Sequence, residues 1–425
     1  MQTTAKFSLS GIFFGWWIVI ASTFGFALNA GLYFYGFGSF FIPLQETFNV
    51  GRASLSGAFA LARLETGLLG PIEGYVVDRF GPRKIMLLGV FMQGLGFIVI
   101  SRVNTITEFY IVFVFLLALG SALGFSQPLL AVLANWFINK RGLVMGIATS
   151  GIGIGGVFVP ILAWIIVTSG WRPAMIFAGV VTWVAGIPLA LVMRHRPEQY
   201  GYLPDGANAP NATIDVANDQ ESSDDQEPEL EFTARQALRT KAFWLLGIAF
   251  SLRVMVSGSM VIHLIPFLED SGMSKELAAL ALGSLAMTSV IGRLGFGWLG
   301  DRFDRKNMVL VALAVMGFSM LILAFATRTW HIVAFFILYA PAYGGLAAMM
   351  HAIRGDYFGR TAFATISGFM ATLMAVGTII GPVFAGYVFD VTGSYRIAFI
   401  TFGIATFAAL ALIVATKKPT EKDLV

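Results

Sequence analysis

One arginine, Arg293, stands in the otherwise apolar, glycine-rich run "LAMTSVIGRLGFGWLGDRF" (285–303). A guanidinium is permanently charged, and its planar fork matches a carboxylate bidentately. On a helix it lies eight residues, about 12 Å, ahead of Asp301. A second cation, Arg253, sits inside the apolar run 241–268. Insertion of such a charge at mid-helix in lipid costs about 2.5–3.5 kcal/mol, and no acid lies one turn away from Arg293 to offset it. Each arginine therefore reads either as an anion site or as a structural charge resting on carbonyls or an acid of another helix. Tyr33, Tyr35, Tyr339 and Tyr343 add aromatic hydroxyls, and Asn29 and Gln127 add amides, that suit the lining of a small organic-anion site; helix packing is the alternative for each. Arg63 and Glu65, two residues apart, point to different helix faces. They read as network residues or as coupling groups. His263 reads as a coupling group, since histidine is the side chain that exchanges protons most readily in the physiological range, or as a hydrogen-bonded packing residue.

Composition says what must position these groups. The chain has 425 residues, 57% hydrophobic and 12% charged, with a mean hydropathy of +0.78. A soluble domain carries about 25% charged residues, so this composition implies a polytopic helical membrane protein. Apolar runs predict twelve spans, six over roughly 11–35, 54–77, 83–102, 106–135, 142–168 and 172–193, and six over roughly 241–268, 274–300, 306–327, 330–357, 361–390 and 395–416. The first run is too long for a signal-peptide core and is expected to be retained. Residues 1–193 and 241–425 thus form two six-helix halves, joined by 194–240. The joining segment is acidic and poor in aromatics, which predicts a solvated linker, with a short amphipathic helix over Glu231–Lys241.

Net charge is +4, but the lysines and arginines sit in short loops, not in a nucleic-acid-binding patch. They crowd the even-numbered connections and termini, which places both termini and the linker in the cytoplasm of a cell (inner) membrane protein. With no cysteine, disulfides, thiolates and iron–sulfur clusters are excluded. "GIGIGG" (151–156) follows no soluble strand and reads as close helix packing. No cofactor, metal site or enzyme motif is expected. The chain also repeats itself: "GYVVDRFGPRK" (74–84) returns as "GWLGDRFDRK" (297–306). Two related halves are an architecture for alternating access around a central site.

These two stretches resemble the loop signature of the major facilitator superfamily, G-x-x-x-D-R-x-G-x-R-[RK]. Gly74, Asp78, Arg79, Gly81, Arg83 and Lys84 match it in the first copy. Asp301, Arg302, Arg305 and Lys306 match it in the second, with Asp304 in place of the glycine. The resemblance implies that Gly74, Asp78, Arg79, Arg83, Asp301, Arg302 and Arg305 form conformational latches. A narrower resemblance is to the monocarboxylate-transporter and oxalate/formate-antiporter branch. Its fifth-span motif Y-F-x-K-R-R-x-L-A-x-G aligns with Trp136, Phe137, Asn139, Lys140, Arg141, Leu143, Val144 and Gly146, and its first-span motif with Gly15-Trp16-Trp17. That branch carries an eighth-span arginine on the substrate carboxylate, which implies the same role for Arg293. Ile12 stands where the first-span acid belongs, Ser289 stands where animal members have an aspartate, and the branch lysines of the first and eleventh spans are missing.

The resulting expectation is an all-α twelve-helix secondary transporter that moves a small carboxylate, with protons or a counter-anion as the coupled species. It works as a monomer among membrane lipids, with no nucleic-acid partner. An exporter of amphipathic drugs and a non-transporting sensor stay open as alternatives.

Overall fold

The computed structural model describes residues 13–206 and 230–420. Ile12 and the middle of the linker lie outside the described residues. Twelve long helices run through the described chain: α1 (Gly15–Phe48), α2 (Arg52–Phe80), α3 (Pro82–Ile100), α4 (Ile106–Trp136), α5 (Arg141–Ser169), α6 (Trp171–Val192), α7 (Lys241–Asp270), α8 (Lys275–Arg302), α9 (Arg305–Ala324), α10 (Thr329–Phe358), α11 (Phe363–Thr392) and α12 (Arg396–Ala415). Eleven are long and apolar enough to cross a membrane. The other, α2, has 29 residues and carries Arg63, Glu65 and Glu73 in its interior. The halves α1–α6 and α7–α12 are thus each six helices.

Polar residues mark where helices begin. Thr240, Ser274 and Asp304 each accept a first-turn N–H, at the starts of α7, α8 and α9. Thr105 and Glu108 close a capping box at the start of α4. Thr233 and Gln236 close another on the short helix Ala234–Arg239, which leads into α7 inside the expected Glu231–Lys241 stretch.

The first span does not end near residue 35. After a π turn (Ala30–Phe34) and a 3-10 turn (Gly36–Phe40), α1 resumes and continues to Phe48. Gly31, Gly36 and Gly38 loosen the helix without stopping it, and Pro43 falls in the first turn of the last segment, where a missing N–H costs nothing. A similar break interrupts α4: a π turn over Phe113–Ala118, then a non-helical Ser126 just before Gln127-Pro128. Irregular backbone at membrane depth is tolerated where it is buried in protein or lines a cavity.

Each half has its own apolar core. One gathers Phe97, Phe109, Phe113, Phe125, Trp136 and Phe137; the other gathers Phe243, Phe335, Met349, Phe358 and Phe402. The halves meet chiefly along α2 against α11 and α5 against α8, with α5–α10 and α4–α11 beside them. Close approach needs small residues, since lipid supplies no hydrophobic drive between helices. A Cβ on Gly74 would lie 2.1 Å from the Ala364 carbonyl, and one on Gly146 would lie 2.3 Å from the Arg293 carbonyl.

Candidate functional site

The polar ties between the halves gather on the side of the bundle that carries the termini and linker. Asp78, at the end of α2, accepts from the Ala364 N–H (3.2 Å), the Thr365 N–H (2.8 Å) and the Thr365 hydroxyl (2.6 Å) in the first turn of α11. Asp301, at the end of α8, accepts from the Gly142 and Leu143 N–H groups (2.8 and 2.7 Å) in the first turn of α5. Both carboxylates therefore sit at the positive end of a helix belonging to the other half. Arg305 donates to Asp301 (2.9 Å), to Asp356, and to the Ile138 and Asn139 carbonyls (3.0 and 2.8 Å) across the interface. Arg79 and Arg302 behave differently. Arg79 donates to the Tyr75 hydroxyl, and Arg302 stacks 4.1 Å from the Trp298 ring, so each is engaged on its own helix. Arg83, in the first turn of α3, is exposed.

The two arginines of interest lie deeper. Arg293 is 4% exposed; its Nη1 donates to the Thr149 carbonyl of α5, in the other half, at 2.5 Å, and its Nε has no hydrogen-bond partner. Arg253 is buried, donates from Nη2 to the Tyr343 carbonyl at 2.8 Å and lies 5.0 Å from the Tyr343 ring. Its Nε is also unpartnered. Among the described residues neither arginine forms an ion pair with an acid. Each guanidinium thus rests on one main-chain carbonyl and keeps donors unused.

The aromatic residues divide by position. Tyr35 is 37% exposed and close enough to Arg293 and Tyr343 to interact with them electrostatically, although it belongs to the other half. Tyr343 stacks parallel to Tyr339 at 6.0 Å, and Tyr339 on Phe335 at 4.8 Å. The Tyr339 hydroxyl is buried without a partner. Tyr33, in the π turn, packs on Phe113 inside the first half, near Arg63 and Glu65. Asn29 accepts from Gln93 and Ser121, both at 2.9 Å, so its oxygen is committed to a network inside the first half. Gln127 is buried at the α4 break with its Oε1 unpartnered.

The expected coupling residues stay apart. Arg63 is exposed, 5.5 Å from the Phe34 ring. Glu65 is buried and accepts from the neighbouring Thr66 hydroxyl at 3.2 Å. His263 has both ring nitrogens engaged: Nε2 donates to the Pro382 carbonyl (2.9 Å), and Nδ1 shares a hydrogen bond with the Tyr395 hydroxyl (3.2 Å). That is the geometry of a packed histidine tying α7 to α11 and α12.

Several interface residues were not singled out from the sequence. Asp356 takes Arg141 from the first half (3.0 Å) as well as Arg305. Arg360 pairs with Glu198 (3.0 Å) and donates to the Asn135 carbonyl (2.9 Å). The linker ends are anchored: Asp205 accepts the N–H groups of Ile138, Asn139 and Lys140 (3.0, 2.8 and 3.1 Å), and Glu231 those of Arg360 and Thr361 (2.8 and 2.6 Å). A signal for Asp356 existed. Asp356-Tyr-Phe stands in the second half where Asn135-Trp-Phe stands in the first, just ahead of a cross-half helix start.

Comparison with known proteins agrees with this architecture. The Major Facilitator Superfamily model matches residues 19–296 and 254–424. Among curated proteins, the chain is 25% identical to monocarboxylate transporter 13 of Rattus norvegicus, over 94% of this chain and 88% of that one. It is 25% identical to the oxalate:formate antiporter of Oxalobacter formigenes, over 87% and 84%. Among solved structures, the fold is similar to the human organic anion transporter MFSD10, with a TM-score of 0.72 at 14% identity, over 94% of this chain and 99% of that one. It is also similar to the E. coli fucose:proton symporter, with a TM-score of 0.70 at 14% identity, over 95% and 98%.

Proposed function

The chain belongs to the Major Facilitator Superfamily, and from that premise we propose that this secondary transporter moves a small organic carboxylate by alternating access, with Arg293 as the group that holds the carboxylate. The observation that carries the reading is Arg293 itself. It is a buried guanidinium between the halves, with one carbonyl partner and no acid paired to it among the described residues. A carboxylate entering there gains a charge-assisted, bidentate contact and neutralises a charge that lipid and protein solvate poorly. Arg253, Tyr343 and Tyr35 shape the same space from both halves. Similarity to a monocarboxylate transporter and an oxalate:formate antiporter supports the same substrate class.

Asp78, Asp301 and Arg305 act as the latches that hold the termini side closed, and this conformer is the latched one. The excess of lysine and arginine on that side supports its being cytoplasmic. Protons or a counter-anion drive the cycle.

The test is uptake of radiolabelled lactate, pyruvate, acetate, oxalate and succinate into proteoliposomes by wild type and Arg293→Ala at matched folded yield. One acid is expected to accumulate and Arg293→Ala to abolish it; an imposed pH gradient then identifies the coupled ion. If none of the acids moves, or if Arg293→Ala transports as wild type does, the reading fails.

A further inference from the structure

Another buried arginine lies nearer the termini side than Arg253 and Arg293. Arg354 on α10 is 3% exposed. Its Nη1 faces His351 Nδ1 at 3.3 Å, its Nη2 faces the Met374 sulfur at 3.3 Å, its Nε has no partner, and the guanidinium lies 5.6 Å from the Phe250 ring. Among the described residues no acid or carbonyl accepts from it. A guanidinium has five donors; here one imidazole nitrogen and one thioether serve them. Burying a charge so poorly satisfied costs several kcal/mol, and an anion removes that cost.

The surrounding surface connects this arginine to the central site. Between Ala342 and Gly355 the partly exposed positions of α10 are Tyr343, Ala347 and His351, spaced four apart, so they form one stripe. Tyr343 at its upper end is the residue Arg253 rests on. His351 at its lower end carries Arg354, and Ala347 between them has no bulk to block the way. On the facing helix α7, Phe250 lies three residues from Arg253, one turn closer to the termini. Counted along their helices at about 1.5 Å per residue, Arg253, Arg293, His351 and Arg354 lie roughly 18, 14, 10 and 6 Å from the termini-side helix ends.

We propose that Arg354 and His351 form a second anion site, to which the carboxylate passes from Arg293 and Arg253 before leaving on the termini side. His351 Nδ1 accepts from Arg354 and so orients the guanidinium, while the His351 Nε2–H points to the far side of the ring, away from it. The free Nε and the weakly engaged Nη2 of Arg354 are the donors for one carboxylate, and His351 holds the guanidinium in place. In the latched conformer the site is closed below by Asp356, Arg141 and Arg305, and the anion enters it from above. This inference rests on the carboxylate reading.

The experiment separates the two. Full-length protein carrying Arg253→Ala and Arg293→Ala, which lacks the central site, is heated with lactate or oxalate at fixed ionic strength. An acid-dependent rise in Tm is expected to persist in it, to vanish when Arg354→Gln is added, and to survive in part with Arg354→Lys. Absence of that rise in the double variant, or its persistence in the presence of Arg354→Gln, overturns the second site. Should Arg354→Gln fail to fold, His351→Gln reads the same site with the same expected loss. In otherwise wild-type proteoliposomes, Arg354→Gln is expected to raise the half-saturating concentration from the termini face by about tenfold, the loss of about 1.4 kcal/mol of binding, and to leave the opposite face unchanged. Equal changes at both faces make Arg354 structural and overturn the proposal. If wild type moves no acid while the Arg354-dependent rise remains, the transport reading falls and the anion site stands.

Discussion

The two copies of the repeated stretch, 74–84 and 297–306, use one device and build it to different strengths. In each a carboxylate at the end of a helix accepts N–H groups from the first turn of a helix in the other half: Asp78 on α11, Asp301 on α5. Asp78 stops there, adding only the Thr365 hydroxyl. Asp301 also holds Arg305, which reaches Asp356 and two carbonyls of the first half, while Arg141 reaches Asp356 from the opposite side. The chain reversal differs as well. Gly81 turns the first copy with φ +85°, a left-handed value that favours glycine. In the second, Phe303 is extended and Asp304 caps α9 by accepting the Asn307 N–H at 2.8 Å. The missing signature glycine is thus explained: no residue there needs a positive φ. Among the described residues, the Asp78 carboxylate itself meets only a helix start, whereas Asp301 meets one set in a charge network.

This difference can be broken first at the carboxylates. A hydrogen bond to a charged group contributes about 1.5–3 kcal/mol net. Asp301→Ala removes two caps and the anchor of Arg305, and is expected to favour opening by about 3 kcal/mol, near a hundredfold in the closed-to-open ratio. Asp78→Ala, which loses three hydrogen bonds but no ion pair, is expected to shift it in the same direction by less than Asp301→Ala does. The chain has no cysteine, so spin labels on Lys84→Cys and Lys418→Cys, one in each half and both exposed, report the termini-side distance without background. Equal shifts, or a larger one from Asp78→Ala, would refute the unequal-latch account.

A second contrast lies in the glycines of the same copies. A Cβ on Gly74 meets the Ala364 carbonyl at 2.1 Å, whereas one on Gly297 meets the Gly142 carbonyl at 2.7 Å. Overpacking of this kind costs about 1–3 kcal/mol. Gly74→Ala is expected near the upper end and Gly297→Ala near the lower, both lengthening the same label-to-label distance. The ranking fails if Gly297→Ala opens the protein further.

How much of this was legible depends on where each interaction originates. Eleven spans were readable because lipid forces a crossing segment to be long and apolar, α2 because it falls between two of them, and the carboxylates Asp78 and Asp301 because a repeated stretch marks them. The extension of α1 to Phe48 was hidden, since π and 3-10 turns at Gly31–Gly38 interrupt the helix without ending it. The resting partners of Arg293 and Arg253 were hidden for a different reason: they are the carbonyls of Thr149 and Tyr343, and every residue presents a carbonyl. Asp205 and Glu231 sit in a polar linker whose composition reads as solvated, yet each caps a loop fixed by the fold. Asn29 and His263 were visible as polar groups in apolar runs. Their partners, Gln93 and Ser121 for one, Pro382 and Tyr395 for the other, are brought to them only by packing.

The smallest expected effect bears on the signature's own arginines. Arg79 and Arg302 directly follow Asp78 and Asp301, and the resemblance assigned all four to the latch. Yet Arg79 is engaged by Tyr75 and Arg302 by Trp298, each on its own exposed helix face. Exposed substitutions away from structural features change stability by no more than about 0.5 kcal/mol. Arg79→Ala and Arg302→Ala are therefore expected to leave the label distance near that of wild type, in contrast to Arg305→Ala, which strips Asp301 and Asp356 of a shared cation. A large opening caused by Arg79→Ala would mean that this arginine crosses to the other half during the cycle. The first copy would then carry a charge network of its own, and the inequality between the halves would belong to the latched conformer alone.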